Sequence, residues 1–177
     1  MACTVTLADI SYSCDDVAIG GIVELHIANK SDAEAALTGV GSTDRVITAA
    51  TAVTGISQIS FNNKDGFSVF SEVKTVSADG VVATVPTISV ELPKMTADKI
   101  TKLNNISKGG AELVAFVATA AGTYHVVGLD YGLYAGTVDA NSGTGRAEKN
   151  RFQLTLTGDE QGLSHSIDAA AFATATA

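Results

Sequence analysis

Three histidines are the residues of this chain with the clearest capacity for metal binding or acid–base chemistry. His26, His125 and His165 are far apart in the sequence, and none has a second ligand at the spacing of a metal site. His26 and His125 each stand in a strand-like segment among apolar neighbours. No nucleophile–base–acid set is visible around any of them. We therefore interpret the histidines as sheet-face residues, and we predict no catalytic residue, no metal, no cofactor and no enzymatic activity.

The segment Asp139–Asn150 imitates two kinds of ligand-binding loop. Its run GTGR, followed by Lys149, suggests a phosphate loop but lacks the Gly-Lys-Ser/Thr ending, and no helix clearly follows it. Its start also imitates a calcium loop, but Gly143 comes one place early and Asn150 stands where the closing Glu is required. We interpret the segment as a flexible loop that is available for contacts between subunits. The candidate contact residues are Asp139, Asn141, Arg146 and Lys149.

The composition favours a β-rich fold. The chain has 177 residues, the length of one domain, and 46% of them are apolar. Ala, Val, Ile and Leu supply most of that share and Trp is absent, so the core is light and β-branched. The 17 glycines, with frequent Ser and Thr, indicate many tight turns between short strands. We predict a single domain over residues 1–177, mainly β (α+β).

The net charge of −8 argues against a nucleic-acid binder. The chain has 11 basic and 19 acidic side chains and no basic run to neutralise phosphates. An acidic surface suits a soluble protein that nucleic acid must pass without binding. The acidic doublets Asp15-Asp16 and Asp159-Glu160 are interpreted as solvated turns, with channel lining or pairing to a neighbour's cations as the alternative.

The cysteines and the hydropathy pattern define the expected compartment. Cys3 and Cys14 are too few for a disulfide framework, so we expect both thiols to be free. The N-terminus has neither a cationic nor an apolar signal region. The longest apolar region, Ala111–Leu129, is too interrupted to span a bilayer. We expect a soluble protein made in the cytoplasm, without membrane contact.

The N-terminal third has the weaker patterns. Thr4–Asp9 starts as a strand, and Ile22–Ala28 reads as a half-buried strand whose Glu24 and His26 face away from the core. Asn29–Asp44 reads as a surface loop with a helical turn at Asp32–Leu37. Arg45–Thr54 has a pattern that does not distinguish helix from strand. In Ile56–Phe61 apolar and polar residues alternate again.

A long two-stranded ribbon is the clearest element. Its arms are Phe67–Thr75 and Val81–Leu92, joined by the sequence SADG. Asp-Gly is a strong hairpin-turn signal, and Pro86 suits an edge or a bend. Near the end of the second arm Ile88, Val90 and Leu92 alternate with Thr87, Ser89 and Glu91, which predicts one buried and one wet face. Arms of this length reach beyond a compact body, so we predict that the hairpin tip contacts another subunit. The tip residues are Ser77, Ala78, Asp79 and Gly80.

One short flanking helix is predicted over Thr96–Ser107. Thr96 is a suitable N-cap, and Met95 and Ile100 are placed to pack across the first turn. Leu103 and Ile106 continue an apolar stripe from Ile100. The run Lys108-Gly109-Gly110 then ends the helix.

The last third predicts a hairpin and a final strand. Glu112–Thr119 is apolar on both faces, which is typical of a central strand, and it forms a hairpin over Glu112–Asp130. In Phe152–Thr157 apolar and polar residues alternate, which predicts the final strand. The Ala/Thr-rich tail after Gly162 is predicted to be either disordered or, over residues 164–177, an extended C-terminal arm docked on a neighbour.

In their order, these elements resemble the major tail tube proteins of long-tailed bacteriophages and the related inner-tube proteins of contractile injection systems. The segment FSVFSEVKTVSADGVVATVPTISVELPKMTADKITKL is similar to that family's long ribbon and single helix. The pieces TYHVVGLDYGLYAG and FQLTLTGDEQ are similar to its closing strands. The resemblance covers roughly the last two thirds of the chain, by order and length rather than by one diagnostic motif.

The resemblance implies a β-sandwich or partial barrel with one flanking helix and a long protruding hairpin. It implies hexameric rings whose inner sheets join around a channel, stacked into a virion tail tube that is assembled in the host cytoplasm. The partners would be further copies of this chain and other phage tail proteins, with DNA only passing through the lumen. Joining sheets around a ring would also remove the exposed strand edges of an isolated subunit. A capsid decoration or other head-surface protein is the alternative, and a secreted adhesion sandwich and a small enzyme are less favoured classes.

Overall fold

A computed structural model of the protein describes residues 20–40, 45–61, 68–143 and 148–177. In those ranges the protein is mainly β, as predicted, with eleven strands in an open mixed sheet and three short helices. The strands are β1 (Ile22–Asn29), β2 (Leu37–Val40), β3 (Val46–Ala50), β4 (Ser57–Gln58), β5 (Val69–Val76), β6 (Val82–Pro93), β7 (Leu113–Thr119), β8 (Tyr124–Val127), β9 (Leu133–Asn141), β10 (Arg151–Gly158) and β11 (His165–Ile167). The helices are α1 (Lys30–Ala36), α2 (Ala97–Ile106) and α3 (Ala169–Ala175). No helix in these ranges is long and apolar enough to cross a membrane.

The sheet divides into two parts at one narrow connection. Its order is β2-β3-β11-β8-β7-β9-β10-β6-β5, with β1 also paired to β7 and β4 to β1. Between β7 and β9 a single pair, Leu113 opposite Leu133, makes the connection. We call β9, β10, β6 and β5 the second half-sheet, and the strands on the other side of that connection the first half-sheet.

The main core lies between the two half-sheets. In the second half-sheet, Phe152, Leu154 and Leu156 of β10 are buried opposite Leu92, Val90 and Ile88 of β6. These cross-strand pairs confirm the alternation predicted for Phe152–Thr157. From the first half-sheet, β1 and β7 contribute side chains to the same cluster. The members from β1 and β7 are Ile22, Leu25, Ile27, Leu113, Ala115 and Val117.

β7 also forms a second core on its other face, which confirms its prediction as a central strand. Val114, Phe116 and Ala118 are buried on that face. Helices α1 and α3 cover it, and Phe172 of α3 packs on the ring of Tyr124 with 4.8 Å between ring centroids. The prediction that residues 164–177 are disordered or an extended arm is therefore wrong, because β11 and α3 complete this core within the subunit.

The same covering layer corrects two predictions near the N-terminus. His26 was expected on a wet face but is buried, with its ring 6.1 Å from that of Phe172, so both faces of β1 are covered there. The segment Asn29–Asp44 was expected to be a surface loop with a helical turn at Asp32–Leu37. The helical turn is confirmed by α1, but the loop is corrected, because β2 follows the helix and Ala33 and Ala36 let α1 pack closely on the second core. The strand predicted at Thr4–Asp9, both cysteines and the doublet Asp15-Asp16 lie outside the described residues.

Helix α2 confirms the predicted helix, with Thr96 as N-cap and Ser107 as C-cap. The Thr96 hydroxyl accepts a hydrogen bond of 3.4 Å from the backbone N–H of Lys99. Leu103 and Ile106 pack on the main core, whereas Ile100 is exposed, so the apolar stripe is shorter than predicted. The expectation of one helix is corrected to three in the described ranges.

The prediction that one face of β6 is exposed to solvent is partly wrong. Ile88, Val90 and Leu92 are buried as expected, but Ser89 and Glu91 on the other face are buried as well. This happens because β5 and β10 flank β6 on both sides, and because Arg151 of β10 forms an ion pair with the carboxylate of Glu91. Pro86 is paired with Glu72 of β5 on one side only, since the ladder to β10 ends at Thr87.

Candidate assembly surface

The ribbon is confirmed as a long antiparallel hairpin. β5 and β6 pair from Val69 opposite Ser89 to Val76 opposite Val82, without a register shift. At the turn, the backbone N–H groups of Ser77 and Gly80 donate to the carbonyls of Val81 and Ser77, at 2.8 and 2.9 Å. Gly80 has φ +80°, a conformation that favours glycine, so the Asp-Gly signal located the turn correctly.

The predicted tip residues are exposed, and the ribbon arms carry an apolar surface that the sequence reasoning missed. Ser77, Ala78, Asp79 and Gly80 are all exposed. Six valines of the ribbon and its turn are more than a third exposed: Val69, Val73, Val76, Val81, Val82 and Val85. Single exposed valines are ordinary, and here Val69, Val73 and Val85 share one face of the ribbon while Val76 and Val82 lie on the other. This density of exposed apolar side chains makes the ribbon a candidate interaction surface. The signal was present as the density of β-branched residues in VFSEVKTVSADGVV, which the interpretation used only to define strands.

The second half-sheet has two free edges among the described residues. β5 pairs with β6 alone. β9 pairs with β10 along its length and touches β7 only through Leu133. Unpaired strand edges are templates for pairing with another chain. The outer backbone groups of β5, and those of β9 beyond Leu133, are therefore available to pair with a neighbour.

The other predicted contact segment lies at the opposite end of this half-sheet from the ribbon tip. Asp139 and Asn141 belong to β9, opposite Gln153 and Arg151 of β10, so the loop begins at Ser142 rather than at Asp139. Lys149 approaches Glu91, with 3.7 Å between its ammonium nitrogen and the carboxylate. Arg146 lies outside the described residues. The structure therefore does not bring the tip and this segment together within one subunit.

A buried charged cluster holds the root of the ribbon. Thr84 of β6 and Glu160 exchange two backbone hydrogen bonds of 2.9 and 2.8 Å. The Glu160 carboxylate accepts from the backbone N–H groups of Asp130 and Tyr131, at 3.1 and 3.4 Å. Arg45 lies 2.9 Å from the carboxylate of Asp130 and 3.6 Å from that of Glu160. We call Arg45, Thr84, Asp130 and Glu160 the root cluster.

The root cluster corrects half of the interpretation of Asp159-Glu160 as a solvated turn, because Glu160 is only 3% exposed whereas Asp159 is exposed as predicted. Burial, together with the hydrogen bond and charge of Asp130, raises the pKa of Glu160 to about 7. Burial alone would raise the pKa of Asp130 as well, but the hydrogen bonds from Arg45 and Glu160 hold it below its usual value. Two carboxylates therefore share one guanidinium, and the proton is held on Glu160.

A second contact ties the edge strand β5 to the body. Ser164 donates its backbone N–H and its hydroxyl to the carboxylate of Glu72, at 2.7 and 3.0 Å. His125 Nδ1 lies 3.2 Å from the same hydroxyl, and Nε2 lies 3.1 Å from the hydroxyl of Thr123. In a Ser-His-Asp triad the carboxylate binds the histidine, whereas here it binds the serine, so the arrangement does not activate the hydroxyl for attack.

The three histidines lie apart in the described structure: His26 and His165 are buried, and His125 is half-buried. Burial lowers the pKa of His125, and Glu72 opposes that effect. Burial and the nearby Arg45 lower the pKa of His165, whose Nδ1 lies 3.4 Å from the guanidinium. His26 Nε2 lies 2.7 Å from the carboxylate of Glu24. Among the described residues no group of three or more His, Cys, Asp and Glu side chains is placed to hold a metal ion.

Comparison with known proteins found no matching family model, no similar curated protein and no similar solved structure. The edges, the exposed valines and the charge of the chain are thus the observations from which its role must be inferred.

Proposed function

We propose that this protein is a structural virion protein that polymerises as stacked hexameric rings into a phage tail tube through which DNA passes. The observation that carries the proposal is the pair of free edges on the second half-sheet, β5 on one side and β9 on the other. A subunit with one free edge forms at most a pair through it, whereas two edges on opposite sides of the same half-sheet allow ring closure.

The strand directions are compatible with such a ring. Neighbouring strands of the second half-sheet are antiparallel, in the order β9, β10, β6, β5. When a cyclic ring repeats that order, β5 of one subunit lies antiparallel to β9 of the next, so the alternation continues without interruption. Six subunits would supply about 24 strands, and at about 4.8 Å per strand the backbone circle would be at least about 35 Å across. A circle of that size leaves an open channel.

The face that would line this channel is rich in hydroxyl groups. Because the other face packs on the main core, only the outer face of the second half-sheet is available to a lumen. The register places Ser89 beside Thr155 and Thr137 in one row across the strands. The next row places Thr87 beside Thr157 and Tyr134. The row on the other side of Ser89 holds Glu91, Gln153 and Asp139, with Arg151 paired to Glu91. Two rows of hydroxyls and one acidic row, in a protein of net charge −8, give phosphates little to bind, which supports passage of DNA rather than retention.

The exposed valines at the end of the ribbon support stacking of the rings. Val76, Val81 and Val82 lie beyond the root at Thr84, toward the tip, where they have no partner surface in their own subunit among the described residues. The tip and the segment that contains Asn141 and Lys149 lie at opposite ends of the second half-sheet, so the tip of one ring would face that segment of the next. Burial of apolar surface at about 25 cal/mol per Å² would stabilise such a contact.

Sedimentation velocity over a range of concentrations, followed by negative-stain electron microscopy, tests the proposal. We expect a discrete ring species that gives way to tubes with a central channel as the concentration rises. A protein that stays monomeric throughout, or that decorates purified capsids, would contradict a tail tube. Binding to capsids would favour the head-surface alternative.

A further inference from the structure

The root cluster joins three parts of the fold at one buried carboxylate. Glu160 is bonded through its backbone to Thr84 at the root of the ribbon. Its side chain is bonded to the N–H groups of Asp130 and Tyr131, in the segment that links the two half-sheets. The third part is Arg45, which directly precedes β3. Whatever changes the charge of this carboxylate acts on the ribbon and on the connection between the half-sheets at once.

The charges around Glu160 do not balance when both acids are ionised. Asp130 and Glu160 face a single guanidinium, and Arg45 also meets the ring of His165. Lys30 contributes a bond of 2.9 Å, but to the backbone carbonyl of Asp130 and not to a carboxylate. The Glu72 carboxylate and His125 form the adjacent contact through Ser164. Buried carboxylates that share one cation do not both ionise without cost.

Two buried polar atoms of the same cluster have no hydrogen-bond partner: Arg45 Nε and the Thr84 hydroxyl. They are the atoms with this property among the buried side chains of the described residues. Unsatisfied groups on both sides of the carboxylate show that the cluster is not fully bonded in the closed arrangement. It is therefore a place where the fold opens at low cost once a further unfavourable charge is added.

We propose that the root cluster is a proton-controlled hinge, in which protonated Glu160 fixes the ribbon to the body and ionised Glu160 releases its root. The proton on Glu160 forms a hydrogen bond with Asp130, and its loss replaces that bond by repulsion between two buried carboxylates. Because the folded arrangement raises the pKa of Glu160, that stabilising contribution is present at low pH and is lost as the pH rises from about 4.5 to about 7. The ribbon would then be held most firmly in mildly acidic solution and would become adjustable near neutral pH.

Hydrogen exchange of the unassembled subunit tests this inference independently of ring formation. The readout is the protection factor of the amides of Thr84 and Glu160 at pH 6 and pH 8, each corrected for the intrinsic exchange rate. We expect protection to fall by about tenfold in the wild type, because pH 6 lies about one pH unit below the Glu160 pKa of about 7 and pH 8 lies above it. In Glu160→Gln, which stays neutral, protection should change by less than about twofold.

Two controls distinguish a hinge from general loosening. Asp130→Asn removes the repulsion but leaves Glu160 buried, so it should reduce the pH effect at Thr84 without abolishing it. The amide of Phe116, in the centre of β7, should keep its protection in every variant. Equal protection at both pH values in the wild type, or a fall that persists in Glu160→Gln, would overturn the proposal. NMR titration of the Glu160 carboxyl with a midpoint near 4.5 would do the same. A failure of the protein to form rings would leave these measurements unchanged and would count against the tail tube alone.

Discussion

Val76 and Val82 lie directly opposite each other at the end of the ribbon, and their side chains are 67% and 42% exposed. Cross-strand valine pairs normally stabilise a sheet by packing against a further layer. This pair has no such layer among the described residues of its own subunit. This exposure is the observation from which we propose that the end of the ribbon contacts another subunit.

Replacement of residues 76–82 by Asn-Gly is the first test. Thr75 and Ala83 are register partners, so a two-residue turn closes the shortened hairpin directly. Since the removed side chains are exposed, we expect the melting temperature to change by only a few degrees. Stacking of rings should be lost, as measured by sedimentation and microscopy. Val23→Ser, which changes an exposed valine of β1 outside the ribbon, is the matched control and should leave assembly intact. A variant that unfolds would show that the tip belongs to the core, and normal tubes would place stacking elsewhere.

Phe172→Ala tests the assignment of the C-terminal segment to the subunit core. Phe172 is buried against Tyr124, His26 and Phe116. Loss of a buried phenylalanine costs about 3 to 5 kcal/mol, so we expect a large decrease in the free energy of unfolding of the monomer. Thr174→Ala, on an exposed part of α3, should cost less than about 1 kcal/mol. If Phe172→Ala left the monomer unchanged, the segment would not be part of its core.

The sequence predicted the second half-sheet well and the covering layer poorly, for physical reasons. Strand β10 has one buried face, so its alternation of Phe152, Leu154 and Leu156 was a direct signal. The C-terminal segment is so rich in Ala and Thr that it has no periodic pattern, although a single aromatic, Phe172, anchors it. The root cluster was not predictable, because Arg45, Asp130 and Glu160 are distant in sequence. The burial of Glu160 was not predictable either, because it depends on the bridge to Thr84 on a distant strand.

Two histidines should make the fold more sensitive to acid. Burial lowers the pKa values of His125 and His165 in the folded state, so below pH 6.5 these two groups bind more protons in the unfolded chain than in the folded one. The stability that they contribute is present above pH 6.5 and is lost as the pH falls. Protonation of Glu160 acts in the opposite direction over the same range, so the test uses a Glu160→Gln background. There we expect the free energy of unfolding, measured in urea, to decrease from pH 6.5 to pH 5, and to decrease less when His165→Gln is added. An identical decrease in both variants would show that His165 does not take part.

The acidic balance of the chain predicts weak interaction with DNA. With 11 basic and 19 acidic side chains there is no excess of cations to release counterions from phosphates. We expect no measurable binding of duplex DNA to the free protein at moderate salt in fluorescence anisotropy. Tight binding that weakens steeply with added salt would contradict the proposed passive channel wall.

The central claim is that β5 of one subunit pairs with β9 of the next. Hydrogen exchange at these two edges, compared between assembled particles and dissociated subunits, tests it most directly. We predict that amides of Val69–Val76 and of Leu133–Asn141 that exchange rapidly in the free subunit become protected on assembly, while α2 changes little. Particles in which both edges exchange as fast as in the free subunit would contradict the claim.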